Sequence, residues 1–227
     1  MNCMKRKYDL ICFDFDGTLA VTSDNQVIWT QLHRRYEVPD EVEMMNREHY
    51  RTGIISISEW LGRDVGEWRK RGARKHEIES EIIKHLRLHE HAAETLHALK
   101  RAGCTLVLIS GGLRIAFETI FPDHPFDEVF IGNIEFDHDG FISGWTHNPF
   151  GEDEGKLLAM QQVADRVGVP LARTVFVGDS RNDIVAMREA GLAVAFNSHD
   201  PEVRKTATVI IDSKDYRDLL PLILKEE

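Results

Sequence analysis

Residues 8–19 read Tyr-Asp-Leu-Ile-Cys-Phe-Asp-Phe-Asp-Gly-Thr-Leu. The apolar run over 8–13 stops at Asp14, the pattern of a buried strand with acidic residues at its carboxyl end. Asp14 and Asp16 stand two residues apart as the chain leaves that strand, and carboxylates so close repel unless a cation compensates them. Gly17 permits a tight backbone approach. A nucleophile beside an acid/base suits phosphoryl transfer through an aspartyl-phosphate. A turn or helix-capping cluster without chemistry is the plainer alternative.

Outward from this strand the character changes. From about residue 25 to 88 charges are dense, strand-like runs are scarce, and Ile57, Trp60, Leu61, Val65 and Trp68 recur on one helix face. From about His91 helices and strands alternate. A helix over 92–102 closes at Gly103 and a strand follows over 105–109. Two more strands, 129–136 and 141–145, flank the turn Asp137-His138-Asp139-Gly140. Next come a helix over 156–167, a strand over 174–177, a helix over about 182–190, strands over 193–196 and 209–211, and a terminal helix. This order predicts an α/β fold, a doubly wound parallel sheet of Rossmann-like type with helices on both faces. The helical stretch interrupts it, giving a core of residues 1–19 and 90–227 and an inserted helical cap over 20–89.

Three further elements follow strands, where open α/β sheets bind ligands. Ser110-Gly111-Gly112 offers a hydroxyl and unencumbered N–H groups at an expected helix start, an anion site or simply an N-cap. Lys156 follows Gly151-Glu152-Asp153-Glu154-Gly155 and is either a neutralising cation or one more exposed lysine. Gly178-Asp179-Ser180-Arg181-Asn182-Asp183 places carboxylates four apart in a loop entering a helix, oxygen ligands that suit Mg²⁺ or a capping turn. Each has a plain structural reading alone; the ordered set of acid, hydroxyl, lysine and acid is hard to obtain by chance.

With these four motifs the chain resembles the haloacid-dehalogenase-like hydrolase superfamily, and within it the phosphoserine phosphatase branch. The resemblance covers about residues 7–19 and 90–215 and includes Ala190-Gly191-Leu192-Ala193-Val194-Ala195-Phe196-Asn197. It implies Asp14 as nucleophile and Asp16 as acid/base. It further implies Mg²⁺ held by Asp14, the Asp16 carbonyl and Asp179 with Asp183 in support, and phosphate held by Ser110, Gly111, Lys156 and Asn182. The expected activity is Mg²⁺-dependent hydrolysis of a small phosphorylated metabolite, phosphoserine among the candidates; phosphotransfer to a second substrate, or a receiver-like phospho-protein, are the alternatives. The insertion departs from the branch. Thr22-Ser23-Asp24 stands where a glutamate would meet the substrate's amino group, and Arg63 and Asp64 are nearest to the expected carboxylate-binding arginine. Ser23, Asp24, Arg63 and Asp64 are therefore the candidate substrate contacts, with a salt bridge inside the cap as the alternative for Asp64.

The formal net charge of −10 opposes nucleic-acid binding, and no apolar stretch is long enough for a signal peptide or membrane span. Cys3, Cys12 and Cys104 read as buried free thiols, and a reducing cytoplasm is the expected compartment. His85, His89, His91 and His97 lack the spacing of a zinc set and are expected at the solvated surface. The run Arg69-Lys70-Arg71-Gly72-Ala73-Arg74-Lys75 reads as a solvated helix end.

Overall fold

The computed structural model describes residues 5–22 and 27–225. The chain starts with β1 (Lys5–Arg6), β2 (Leu10–Phe13) and β3 (Ala20–Thr22). Four helices follow, α1 (Ile28–Arg35), α2 (Asp40–Arg51), α3 (Ile57–Lys70) and α4 (Lys75–His85), and then β4 (Leu86–Leu88). The next part runs through α5 (Ala92–Arg101), β5 (Thr105–Leu113), α6 (Arg114–Ile120), β6 (Glu128–Phe136), β7 (Ile142–Thr146) and α7 (Asp153–Val167). It ends with β8 (Thr174–Gly178), α8 (Ile184–Glu189), β9 (Leu192–Phe196), α9 (Pro201–Thr206), β10 (Val209–Ile211), α10 (Leu220–Ile223) and β11 (Leu224–Lys225).

Seven strands form one sheet in the order β10-β9-β8-β2-β5-β6-β7, parallel except for β7, which runs antiparallel to β6 at the edge. All four residues of β2 are buried, because helices cover both faces. Side-chain alternation sorts them. Ile11 and Phe13 join the core with Leu96, Leu99 and Tyr216, while Leu10 and Cys12 face Met160, Val163 and Met187 of α7 and α8. Cys12 and Cys104 are buried free thiols, and burial pushes the Cys104 thiol up to about 11; Cys3 lies outside the described residues.

The helices α1–α4 leave and re-enter through the antiparallel ribbon of β3 and β4, in which Ala20 faces Leu88 and Thr22 faces Leu86. Ser56 opens α3 with a capping box, its hydroxyl accepting from the Glu59 N–H at 3.2 Å while Glu59 reaches back to the Ser56 N–H at 2.8 Å. The stripe read from the sequence then turns inward: Leu61, Val65 and Trp68 are buried, the last two in one core with Leu32, Ile78 and Ile82. Trp68 packs its ring 5.1 Å from that of Trp29 and donates its indole N–H to His33 Nδ1 at 3.2 Å. The basic run after it is a helix end, with Lys70 and Arg71 both paired to Glu67.

Several local expectations are corrected. The strand expected over 105–109 continues through Ser110-Gly111-Gly112 to Leu113, and α6 begins only at Arg114. Ser110 Oγ accepts the Gly112 N–H at 3.1 Å, which occupies the hydroxyl locally without capping a helix. The helix containing Lys156 begins three residues earlier, at Asp153. The helix expected from residue 182 opens as a 3-10 turn over Arg181–Asp183, drawn tight because Asp183 Oδ2 accepts the N–H groups of Asp179 and Ser180, each at 3.0 Å. His89 is not solvated: it is half-buried, with its ring 5.1 Å from Phe196 and stacked at 6.1 Å on Tyr216. Among the described residues no helix is long and apolar enough to cross a membrane.

Because Trp68 is fully buried and ties α3 to α1, Trp68→Ala leaves a large void and removes the indole N–H from His33 Nδ1. The expected loss is about 3–5 kcal/mol of unfolding free energy, read by denaturant titration; a loss below about 1 kcal/mol would contradict this packing.

Candidate active site

β2 lies between β5 and β8, so three adjacent parallel strands deliver their carboxyl ends to one place. Asp14 follows β2, with its N–H bonded to the Val177 carbonyl of β8 at 3.0 Å. Ser110 comes from β5, Asp179 follows β8, and α7 brings Lys156 from below. A cleft of about 1150 Å³ opens over them, and Asp14, Asp16, Ser110, Gly111, Asp179 and Asn182 all line it. This is the crevice at a reversal of strand order where α/β sheets bind ligands.

Beneath the cleft, Lys156 is fully buried, its Nζ 3.0 Å from Asp14 Oδ1, 2.6 Å from Asp183 Oδ1 and 3.3 Å from Asn182 Oδ1. Burial works against its charge, and the Asp14 and Asp183 carboxylates more than reverse that, so its ammonium is held above the usual range. Asp14 is pushed upward, chiefly by burial, with Lys156 opposing and Asp183 adding to the rise. Burial and then the charge of Asp14 push the Asp16 carboxyl up to about 7. Asp179 is held well above the usual carboxylate range by burial and by Asp14 and Asp183.

The loop after Asp14 is fixed by its own backbone. Leu19 and Ala20 donate to the Phe15 carbonyl at 2.9 and 3.0 Å, and Gly17 donates to the Ala20 carbonyl at 2.8 Å. Gly17 adopts φ +85°, and a methyl group there would run into the Asp179 carboxylate, so residue type and close approach agree. Gly112 lies equally close to the Asp16 carboxylate.

Carboxylate oxygens of Asp14, Asp179 and Asp183 lie within 4.8 Å of one another. Asp14 Oδ1 is buried and accepts no aligned hydrogen bond, despite the nearby ammonium. A hard divalent cation fits this all-oxygen set. Asp183 is the most committed of the three, since it also accepts two N–H groups and pairs with Lys156.

The other expected residues fall in two groups. Arg63 is exposed, with Nη1 3.4 Å from Asn46 Oδ1, and it does not line the cleft. Asp64 lies in a neighbouring pocket. Ser23 and Asp24 are outside the described residues. Sequence reasoning passed over Thr18, whose hydroxyl donates to Asp179 Oδ1 at 2.7 Å, and Glu152, whose Oε2 accepts from Asn182 Nδ2 at 3.1 Å. Glu152 stands among three consecutive acidic residues, with nothing to single it out. Asn148, which donates to the Ser110 carbonyl at 3.0 Å, carried no signal at all.

A family model described as haloacid dehalogenase-like hydrolase matches residues 11–188. The phosphoserine phosphatase of Methanocaldococcus jannaschii is 30% identical over 220 residues, covering 97% of this chain and 100% of that protein. A solved phospho-aspartyl intermediate analogue of phosphoserine phosphatase aligns with a TM-score of 0.75 at 28% identity, over 95% of this chain and 99% of the other. A substrate-bound phosphoserine phosphatase complex aligns at 0.76 and 26% identity, over 96% and 100%.

Removing the buried cation tests the electrostatics directly. Lys156→Met should cost about 3–5 kcal/mol near neutral pH, because it strands buried carboxylates. A carboxyl whose folded pKa is raised gains stability as pH falls, so acidification should recover part of the loss as Asp14 takes a proton. Urea titrations at pH 5 and pH 8 read this; an equal loss at both would refute the coupling.

Proposed function

The chain belongs to the haloacid dehalogenase-like hydrolase family, and from that premise we propose how its residues divide the work of a phosphatase. It is an enzyme, a phosphoric monoester hydrolase that acts on a small phosphomonoester through an aspartyl-phosphate. Its likeness to phosphoserine phosphatases makes phosphoserine the first substrate to try. The observation that carries the assignment of roles is the fully buried Lys156 between Asp14 and Asp183, a fixed positive charge under the carboxylate that follows the central strand.

Asp14 attacks phosphorus and Asp16, two residues on, protonates the departing alkoxide. The same Asp16 then takes a proton from water as it attacks the phosphoaspartate. A carboxyl near 7 is suited to both duties, because it is appreciably populated in each protonation state at neutral pH. Ser110 Oγ, already accepting from the Gly112 N–H, keeps its own proton to donate to a phosphoryl oxygen, beside the Gly111 N–H. Asn182 is oriented by Glu152 and Ser180, and Lys156 supplies positive charge from below.

Asp14, the Asp16 carbonyl and Asp179 would hold Mg²⁺, with Asp183 supporting. Bound there, the ion neutralises charge on the phosphoryl oxygens and on the clustered carboxylates. Helices α1–α4 act as a cap over the cleft, and residues 20–89 form a second domain on this reading. The free thiols at Cys12 and Cys104 go with a reducing cytoplasm.

Asp14→Asn should reduce phosphate release from p-nitrophenyl phosphate at least about a thousandfold with an unchanged circular dichroism spectrum; appreciable residual turnover would sink the nucleophile assignment. The pH dependence separates the role of Asp16. With an alkyl phosphate, phosphoenzyme formation should fall about tenfold per pH unit above about 7, as the acid loses its proton. With p-nitrophenyl phosphate, whose leaving group needs no acid, it should stay flat. Rapid-quench kinetics measures both, and parallel slopes would refute the acid.

A further inference from the structure

The acids Glu152, Asp153 and Glu154 stand together at the start of α7. Asp153 and Glu154 are exposed, whereas Glu152 is half-buried and lines the catalytic cleft. The segment that carries it is laid against the part of β5 that holds Ser110 and Gly111. Asn148 donates to the Ser110 carbonyl at 3.0 Å. Gly151 sits so close that a methyl group on it would lie 2.7 Å from the Gly111 Cα. Asp153 takes φ +39°, in the left-handed region that side-chain-bearing residues seldom adopt. The turn that aims Glu152 inward is thus held by its packing, against its own backbone preference.

There Glu152 meets the groups expected to hold phosphate. Its Oε2 accepts from Asn182 Nδ2 at 3.1 Å. Its Oε1 lies over Gly111, where a methyl group would run into it. Burial pushes its carboxyl upward, with the Asn182 bond and the charge of Lys156 opposing and that of Asp14 adding to the rise. Glu152 therefore stands in the field of the same Lys156 and Asp14 charges that a phosphoryl group enters. The Asn182 Oδ1 accepts from Ser180 Oγ at 2.6 Å and faces Lys156 Nζ at 3.3 Å. Only Nδ2 is left to meet an anion, and Glu152 already holds it.

A carboxylate so placed competes with a phosphomonoester for one amide, and two anions side by side in a partly buried cleft repel. Orienting Asn182 needs no charge, as the Ser180 hydroxyl shows from the other end of the same amide. The charge of Glu152 is therefore what calls for a role of its own.

We propose that Glu152 is a gate on the phosphoryl site: its carboxylate stands in for a phosphoryl oxygen on Asn182 while the site is empty, and yields that bond when a phosphomonoester is seated. The proposal rests on the phosphatase reading above and deepens it. Run in reverse, the same exchange expels inorganic phosphate after hydrolysis. Being half-buried, the side chain has solvent to turn toward. Glu152 thus sets how tightly the site holds a phosphoryl group, without touching the reacting atoms.

The test is inhibition of p-nitrophenyl phosphate hydrolysis by inorganic phosphate, with Mg²⁺, in the wild type, Glu152→Gln and Glu152→Ala. The glutamine variant keeps the shape and can still accept from Asn182, but it lacks the charge. Its Ki for phosphate should fall about tenfold or more, and its KM for the ester should fall in the same sense. Glu152→Ala reads the same change if the glutamine variant does not fold. A carboxylate that only orients Asn182 predicts the opposite sign, with Ki unchanged in the glutamine variant and raised in the alanine variant. Either of those results would overturn the gate while leaving the phosphatase intact. Failure of the wild type to hydrolyse the ester would overturn the phosphatase reading and the gate with it.

Discussion

The ammonium of Lys156, sealed from solvent between Asp14 and Asp183, is the constraint on which the site depends. Asp14, Asp16, Asp179 and Asp183 crowd one end of three strands, and water cannot screen their repulsion there. A single buried cation makes the cluster tolerable and also fixes its geometry, because Nζ reaches Asp14, Asp183 and Asn182 at once. Asp183 in turn holds the backbone N–H groups of Asp179 and Ser180. The loop that presents Asp179 is therefore set by the same charge that holds Asp14.

The sheet explains why so few residues suffice. A central β2 flanked by β5 and β8 converts distances of many residues in sequence into neighbouring strand ends. Glycines at 17 and 112 then let carboxylates approach backbone that any side chain would hold away. The insertion is bound to this arrangement through a short ribbon and through apolar side chains that run without interruption from β2 to Trp68. One chain thus carries the clustered carboxylates on rigid strand ends and a second, smaller pocket on helices.

Much of this was legible because strong local chemistry coincides with strong periodicity. The apolar run ending in Asp14, the alternating elements after His91 and the stripe from Ile57 to Trp68 each name their element type. Ser110-Gly111-Gly112 misled because serine before glycines has the composition of a helix cap; it lies instead within β5 at an irregularity in the pairing with β6, between Ile109, opposite Phe130, and Leu113, opposite Gly132. The two-residue strands β1 and β11 are too short to carry any period, and they exist only because each pairs with the other. Asp64 had two readings, an internal contact or a substrate contact, and its contacts with Asn46 and His33 are of the first kind. Thr18 and Glu152 acquire meaning only from partners far along the chain.

The position of β2 at the middle of the sheet also bears on how the chain is born. Its strand leaves the ribosome before either neighbour, and Thr105 and Thr174, which open them, follow only much later. At ordinary elongation rates the gap to the second neighbour is on the order of ten seconds. Until β5 emerges an apolar strand tipped with carboxylates has no neighbour to pair with, and until β8 emerges it has only one, while α1–α4 can already form their shorter-range contacts. The helical insertion is thus placed to condense first, and closure of the sheet around β2 is a late, long-range event of the kind that slows folding.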